Sequence, residues 1–331
     1  MTTPNSTQNE LVVLMPARDE AQNLPASLSS VNASKGIGSK MHVLVCANAC
    51  QDNTVEVLEG LKKAHRNMDF ITESVPGKPR ALNALIDKTE QTHRMESEDV
   101  VVFLDANARV QPDTLASLTH MLHSDKGLNA VSANDVSIAP KTDSVLDHLL
   151  FGVSDISLSA LALRDRKASC TAVRAKSVKG VRFPEHVIAD DLWLSMYLGM
   201  DTVETHPSAH VIVPRTRVLM DFFSGRVKHL MGLYQLEEFY PAHEVRAQIP
   251  TGIHEHVQAL MSEPELQDQF AELPAVYKAA TLMAIPVHAA LKAVAWVGYH
   301  LMPQARNHSI PIPQSVQVET RSRSARRATI A

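Results

Sequence analysis

Cysteine is scarce in this chain. The 331 residues include three, Cys46, Cys50 and Cys170. So sparse and odd a set excludes a disulfide framework and suits a reducing compartment. Cys46-Ala47-Asn48-Ala49-Cys50 lacks the spacing and the partner pair of a zinc site. No long basic run crosses the first 300 residues, and the net charge is −4, which argues against nucleic acid as a partner. Met1 to Glu10 is polar and without an apolar core, so no secretory signal is expected. No internal repeat is visible. A membrane-length apolar run is also lacking. Ala275 to Met302 comes nearest, but Lys278 and Lys292 interrupt it and Pro286 sits inside it. Its longest uncharged run, Ala279 to Leu291, is too short to span. An amphipathic helix that lies on a membrane surface, or packs on the folded domain, suits residues 275–303 better. The tail from Arg321 to Arg327 is basic and expected to be disordered, with affinity for anionic lipid.

What the chain does have is apolar residues, 45% of the total, enough for a sizeable core. They fall into short runs. Leu11 to Met15 reads as a buried strand stopped by Pro16, and Leu24, Leu28 and Val31 follow at helical spacing. Met41 to Ala47 is a second strand, followed by a helix from Asp52-Asn53-Thr54. Met68 to Thr72 is a third strand, Pro76-Gly77-Lys78-Pro79 a turn, and Ala81 to Ile86 a helix. Val100 to Leu104 is a fourth strand, with Leu115, Leu118, Met121 and Leu122 on the face of its helix. Leu128 to Val136 is a further strand. Strands alternating with helices predict βαβ units and a mostly parallel sheet. Beyond Pro140 the pattern changes. Val145 to Leu163 has helical spacing, Lys167 to Val173 reads as a strand, and Val181 to Pro184 as a loop. A helix follows Asp190-Asp191, then a short strand at Val211 to Val213. Val218 to Phe239 reads as a long amphipathic helix, and beyond Pro250 the chain reads as helical.

The run Val100-Val101-Val102-Phe103-Leu104 ends at Asp105, and Asn107 offers a second oxygen two residues on. In an open α/β sheet, ligands bind beyond the carboxyl ends of the strands. A carboxylate and an amide oxygen there can hold a divalent cation, Mg2+ or Mn2+, against a diphosphate. Asp190 reads as a helix cap, and the scattered histidines, His206 and His210 among them, as ordinary surface residues.

Five stretches recur in a fixed order: Pro16-Ala17-Arg18-Asp19-Glu20, Asn48 to Thr54, Gly77-Lys78 through Asn83, Asp105-Ala106-Asn107, and Asp190-Asp191. In that order they resemble a family 2 glycosyltransferase, over residues 11 to 235. The resemblance implies a GT-A-type, Rossmann-like, mostly parallel α/β sheet flanked by helices, with a helical C-terminal extension. It implies a nucleotide-diphosphate sugar as donor, UDP-linked, and a lipid-linked, saccharide or small-molecule acceptor. It assigns Pro16, Ala17 and Glu20 to the nucleoside pocket, and Asn48 to the place beside the base, where many members carry aspartate. Lys78 and Asn83 border the nucleotide. Asp105, Ala106 and Asn107 match the Asp-x-Asp element, with an uncharged second ligand. Asp190 and Asp191 match Glu-Asp, whose second member is typically the base of inverting members. The Gln-x-x-Arg-Trp element of processive synthases is absent, and Arg226 stands where it could contact the diphosphate or acceptor.

The expected organisation is a flexible segment at 1–10 and a catalytic domain at 11–240, with a nucleotide-sugar half at 11–140 and an acceptor half at 141–240. A helical extension follows at 241–303 and a basic tail at 304–331. A cytoplasmic location is expected, with peripheral contact at the inner face of the plasma membrane through 275–303. A rival reading is a catalytically weakened nucleotide-sugar-binding protein, motivated by Asn107 and Asn48. A sugar-phosphate nucleotidyltransferase would need a Gly-rich loop after the first strand, which Met15-Pro16-Ala17-Arg18 does not supply.

Overall fold

The computed structural model describes residues 9–37, 40–93, 95–137 and 168–214, together with scattered positions between 227 and 245. The expectations for Val145 to Leu163, for Arg226 and for everything beyond residue 245 lie outside the described residues. So does most of the helix expected from Val218 to Phe239.

The chain divides into two compact units. The first comprises residues 1–137, 168–185 and 194–214, and the second residues 138–167, 186–193 and 215–331. The first unit holds one eight-stranded sheet. Its strands are β1 (Glu10–Ala17), β2 (Lys40–Asn48), β3 (Met68–Glu73), β4 (Val100–Leu104), β5 (Arg109–Val110), β6 (Ala130–Ser137), β7 (Cys170–Arg174) and β8 (Val203–Val213). The helices in chain order are α1 (Leu24–Asn32), α2 (Thr54–Ala64), α3 (Lys78–Thr92), α4 (Thr114–Ser124), the short α5 (Ala175–Val178) and α6 (Asp190–Leu198).

The spatial order is β3-β2-β1-β4-β7-β6-β8-β5. β3, β2, β1 and β4 are parallel throughout. The apolar runs of β1, β2 and β4 are largely buried, as a sheet covered by crossover helices requires, while β3 at the edge buries only Met68. β7 then enters antiparallel between β4 and β6. β6 and β8 are parallel, and β5 pairs antiparallel with β8 at the edge. The α/β sheet is mostly parallel, as expected, with four parallel pairings and three antiparallel ones among the described residues, the antiparallel ones all involving β5 or β7.

One core cluster lies on a single face of this sheet, where α1, α2 and α4 cover alternate strand residues. Leu24, Leu28 and Val31 of α1 and Leu115, Leu118 and Leu122 of α4 are fully buried against Leu11, Val13, Val43, Val102 and Val131. Their three- and four-residue spacing is the apolar stripe seen in the sequence. Arg174 at the end of β7 is 2% exposed. Its guanidinium donates to the carbonyls of Leu122, Asp125 and Leu128. A buried cation is thus satisfied by one carbonyl of the last turn of α4 and two of the loop that follows it. Two local expectations shift. Lys78 and Pro79, expected in a turn, open α3 with Pro79 in its first turn, where a missing N–H costs nothing. The strand expected at Val211 to Val213 begins eight residues earlier, at Val203.

Candidate active site

β1, β2, β3 and β4 run in the same direction, so the loops after them share one edge of the sheet. Ala17 lies beside Ala47 and Asn48 beside Glu73. Pro16, Ala17, Glu20, Asn48, Lys78, Asp105, Ala106 and Asn107 therefore come from this edge or from the loops just beyond it. Ala17, Asn48 and Ala106 are buried. Asp105 and Asn107 are half-buried.

Asp105 is held by its backbone. Its N–H donates to the Ser169 carbonyl at 2.9 Å, and its own carbonyl accepts from Ala108 at 2.9 Å. Ser169 is fixed in turn, its N–H and hydroxyl donating to the two carboxylate oxygens of Asp135 at 3.0 and 2.8 Å. The side chain of Asp105 is thereby aimed from a braced turn. Lys78 Nζ lies 2.9 Å from Asp105 Oδ1. A cation already sits at the carboxylate that the sequence assigned to a metal.

The donor set fits such an ion. Asp105 and Asn107 supply hard oxygens, the preference of Mg2+ and Mn2+, which take one or two carboxylates and complete their shell with phosphate and water. The three-residue clusters of His, Cys, Asp and Glu among the described residues do not include Asp105. Substrate oxygens would have to supply the remaining positions.

Glu20 anchors the first loop. Its N–H donates to Thr54 Oγ1 at 2.9 Å, and its carboxylate accepts from Asn23 Nδ2 at 2.7 Å. Burial holds its carboxyl above the ordinary range, opposed by the Asn23 bond and reinforced by the charges of Asp105, Asp52 and Asp19. Asp52 spans the loops after β1 and β2. It accepts from Ala21 N–H at 3.2 Å and from Thr54 N–H at 3.0 Å, and bonds from Thr54 lead the effects that hold its carboxyl below the ordinary range. Asp19, with a φ of +56°, accepts from Gln51 N–H at 2.6 Å. These loops are tied to one another before any ligand arrives.

Asn48 and Asn83 have work of their own. Asn48 Nδ2 donates to the Val75 carbonyl at 2.7 Å, and its Oδ1 accepts from Gly77 N–H at 2.7 Å. It clasps the loop that leads into α3, where Gly77 adopts a φ of +150° that other residues rarely reach. Asn83 grips Phe183 in the same way, donating to its carbonyl at 2.8 Å and accepting from its N–H at 2.7 Å. The sequence placed both beside the nucleotide. In the structure each side-chain amide braces backbone around Lys78 or in the loop that precedes α6.

In the second unit, Asp190 and Asp191 open α6. Asp191 Oδ1 accepts from Leu192 N–H at 2.9 Å. Two residues that sequence reasoning missed hold the approach to this pair. Gln235 is 3% exposed. It accepts from Ile188 N–H at 3.0 Å and donates to the His186 carbonyl at 3.0 Å. A Cβ on Gly232 would come within 2.9 Å of Ala189 Cβ and 3.0 Å of Ala189 N. Only glycine lets that backbone approach so closely. The nearest signal in the sequence was a glycine and a glutamine three residues apart in an otherwise apolar helical stretch.

The family model described as Glycosyltransferase like family 2 matches residues 8–224. No curated protein matches the chain. Among solved structures, the mannosyltransferase PcManGT of Pyrobaculum calidifontis, in complex with GDP-Man and Mn2+, aligns with a TM-score of 0.59 at 18% identity, covering 89% of this chain and 88% of that one. S. aureus TarS 1-349, in complex with UDP-GlcNAc, aligns with a TM-score of 0.48 at 13% identity, covering 85% of this chain and 81% of that one. Among the described residues no helix is long and apolar enough to cross a membrane.

Proposed function

The chain belongs to the glycosyltransferase-like family 2 and is a glycosyltransferase of the GT-A fold, and on that basis we propose that it moves a sugar from a nucleotide-diphosphate donor to a hydroxyl acceptor with inversion. The observation that carries this reading is the Lys78–Asp105 pair at the shared strand-end edge. A carboxylate and an ammonium 2.9 Å apart offer a diphosphate both of the contacts it needs, one direct and one through a cation.

In this account Asp105 and Asn107 hold Mg2+ or Mn2+. When bound, the ion offsets negative charge on the departing diphosphate. Lys78 turns from Asp105 to the phosphate oxygens as the donor enters. Arg226 is proposed as a further diphosphate or acceptor contact. Glu20 meets the nucleoside, with Pro16, Ala17 and Ala106 as the short-chain wall around it. Asn48 and Asn83 fix the loops that carry Lys78 and lead toward Asp190. Asp191 takes the proton from the acceptor hydroxyl as its oxygen bonds to the anomeric carbon and the bond to the diphosphate breaks. A base on that side, with no covalent intermediate, gives inversion. Asp190, expected as the cap of α6, stands instead in its first turn, where its charge suits the helix N-terminus.

UDP-sugars come first among donors, with GDP-sugars as the rival because PcManGT was solved with GDP-Man. The acceptor class proposed is lipid-linked, saccharide or small-molecule. The proposed setting is cytoplasmic, with residues 275–303 in peripheral contact with the membrane. A second reading, a binding protein that has lost turnover, is favoured by Asn107 and Asn48, which offer amides where a carboxylate would supply charge.

Calorimetric titration with UDP or GDP plus Mn2+, followed by mass spectrometry of products from a donor and acceptor panel, separates them. Binding with sugar transfer is the expected result, and Asp105→Ala should abolish both. Binding without hydrolysis or transfer would favour the second reading. Failure to bind either nucleotide would overturn both.

A further inference from the structure

The edge of the sheet opposite the strand-end loops carries three side chains that sugar transfer does not use. Glu10 opens β1, His42 is near the start of β2, and His93 directly follows α3. β1 and β2 are in register here, with Val12 beside His42, and α3 returns along them to the same edge. One ligating atom from each of the three lies within 4.8 Å of the other two. His93 Nδ1 is 2.9 Å from Glu10 Oε2, and His42 Nε2 is 4.0 Å from Glu10 Oε1. The two imidazole rings stand 4.8 Å apart at a tilt of 60°.

Two further observations make this more than a surface ion pair. His42 Nε2 is shut off from solvent and has no hydrogen-bond partner among the described residues. A buried ring nitrogen without a partner calls for an explanation, a bound ion among them. The residue whose carboxylate faces it is also held at its backbone. Asp99, itself buried, accepts from Glu10 N–H at 2.7 Å and from Glu96 N–H at 2.7 Å. That bond fixes where β1 begins, and with it the position of Glu10.

We propose that Glu10, His42 and His93 form a divalent transition-metal site that takes Zn2+, with its fourth position open to water. Two imidazoles and one carboxylate are a recurrent zinc set, and imidazole disfavours Mg2+ and Ca2+. Zinc bonds of about 2.0–2.2 Å put neighbouring donor atoms roughly 3.3 Å apart in a tetrahedron. The three groups need to draw in by roughly an ångström. Glu10 and His42 are about a quarter exposed, which leaves room for that rotation. The hydrogen bond between His93 and Glu10 gives way to the shared ion. β1 runs from Glu10 to Ala17, so at the strand rise the site is roughly 20 Å from the donor edge. It is therefore separate from the Asp105 cation. Its role is to tie β1, β2 and the end of α3 at the far edge of the sheet.

The test uses the full chain, stripped with chelator and titrated with ZnCl2 by calorimetry, with Co2+ as a spectroscopic probe. One Zn2+ per chain is expected, together with the visible absorption of tetrahedral Co2+ and a rise in melting temperature. His42→Ala and His93→Gln should each weaken Zn2+ by tenfold or more and remove that rise. Asp105→Ala should bind Zn2+ as the wild type does. If His42→Ala does not fold, His93→Gln and Glu10→Gln decide the matter. No zinc uptake by the wild type, or uptake unchanged in the variants that fold, would overturn the proposal.

Discussion

Replacing Lys78 with methionine keeps the length of the side chain and removes its charge. Two effects should separate. The pair it forms with Asp105 is open to water, the side chains being 42% and 35% exposed. Such pairs contribute about 0–1 kcal/mol. For a chain of this size that is at most a few degrees of melting temperature. Donor binding is different. If Lys78 meets the diphosphate, Lys78→Met loses a hydrogen bond to a charged group, about 1.5–3 kcal/mol. That corresponds to a dissociation constant weaker by roughly tenfold to a hundredfold. A third consequence is opposite in sign. Without nucleotide, Lys78 competes with a metal for Asp105 Oδ1, so Lys78→Met should bind Mn2+ more tightly than the wild type. Calorimetry with UDP plus Mn2+ reads the first binding effect, and a Mn2+ titration without nucleotide reads the second. Unchanged donor affinity together with unchanged or weaker Mn2+ binding would refute the switch of Lys78 from carboxylate to phosphate. A collapse in melting temperature would make Lys78 a structural residue instead.

Two further variants probe the frame of the site. Asn83→Ala breaks both bonds to the Phe183 backbone and should cost about 1–3 kcal/mol by denaturant unfolding; a loss within error would mean that solvent replaces the amide freely. Glu20 has its folded pKa raised above 4.5, chiefly by burial. The stability linked to its protonated form is therefore complete below 4.5 and lost as pH rises through the raised folded value. Glu20→Gln should then flatten the fall in melting temperature from acid to neutral pH while weakening donor binding, and an unchanged slope would remove Glu20 from that titration.

The early half of the fold was legible because its strands are continuous apolar runs and its helices carry their leucines on one face. Leu11 to Met15, Met41 to Ala47 and Val100 to Leu104 could bury themselves in few other ways. β8 was mostly illegible. Val203 to Ala209 is polar and contains Pro207, which reads as loop. The structure pairs it with β6 across a register shift between Ser132 and Asn134, and Asn134 Nδ2 donates to the His206 carbonyl at 2.6 Å. That pairing is made by residues about seventy positions away, which no local pattern encodes. The two residues of β5 are too short for any periodicity.

The site was legible as a set of loops and less so as a set of contacts. Asp105 stood out because a carboxylate ends a buried strand. That Lys78 would reach it, across 27 residues, depends on α3 opening one residue after Gly77. Asn48 and Asn83 were recognisable by motif, but the bonds their amides make to backbone 27 and 100 residues away were not. Gln235 and Gly232 were passed over for the converse reason. Their importance lies in the segment 186–189 that they hold, not in any chemistry of their own.

The claim that this is base-assisted, inverting sugar transfer rests on Asp191. Asp191→Asn keeps the size and the acceptor that receives Leu192 N–H, and removes the basicity. Single-turnover kinetics with the donor that proves active, alongside donor titration, tests it directly. The account predicts turnover lower by roughly a hundredfold or more, the scale of losing a general base, with donor affinity little changed. It also predicts residual activity in Asp190→Asn. Near-normal turnover in Asp191→Asn, or the two variants exchanging behaviours, would contradict it.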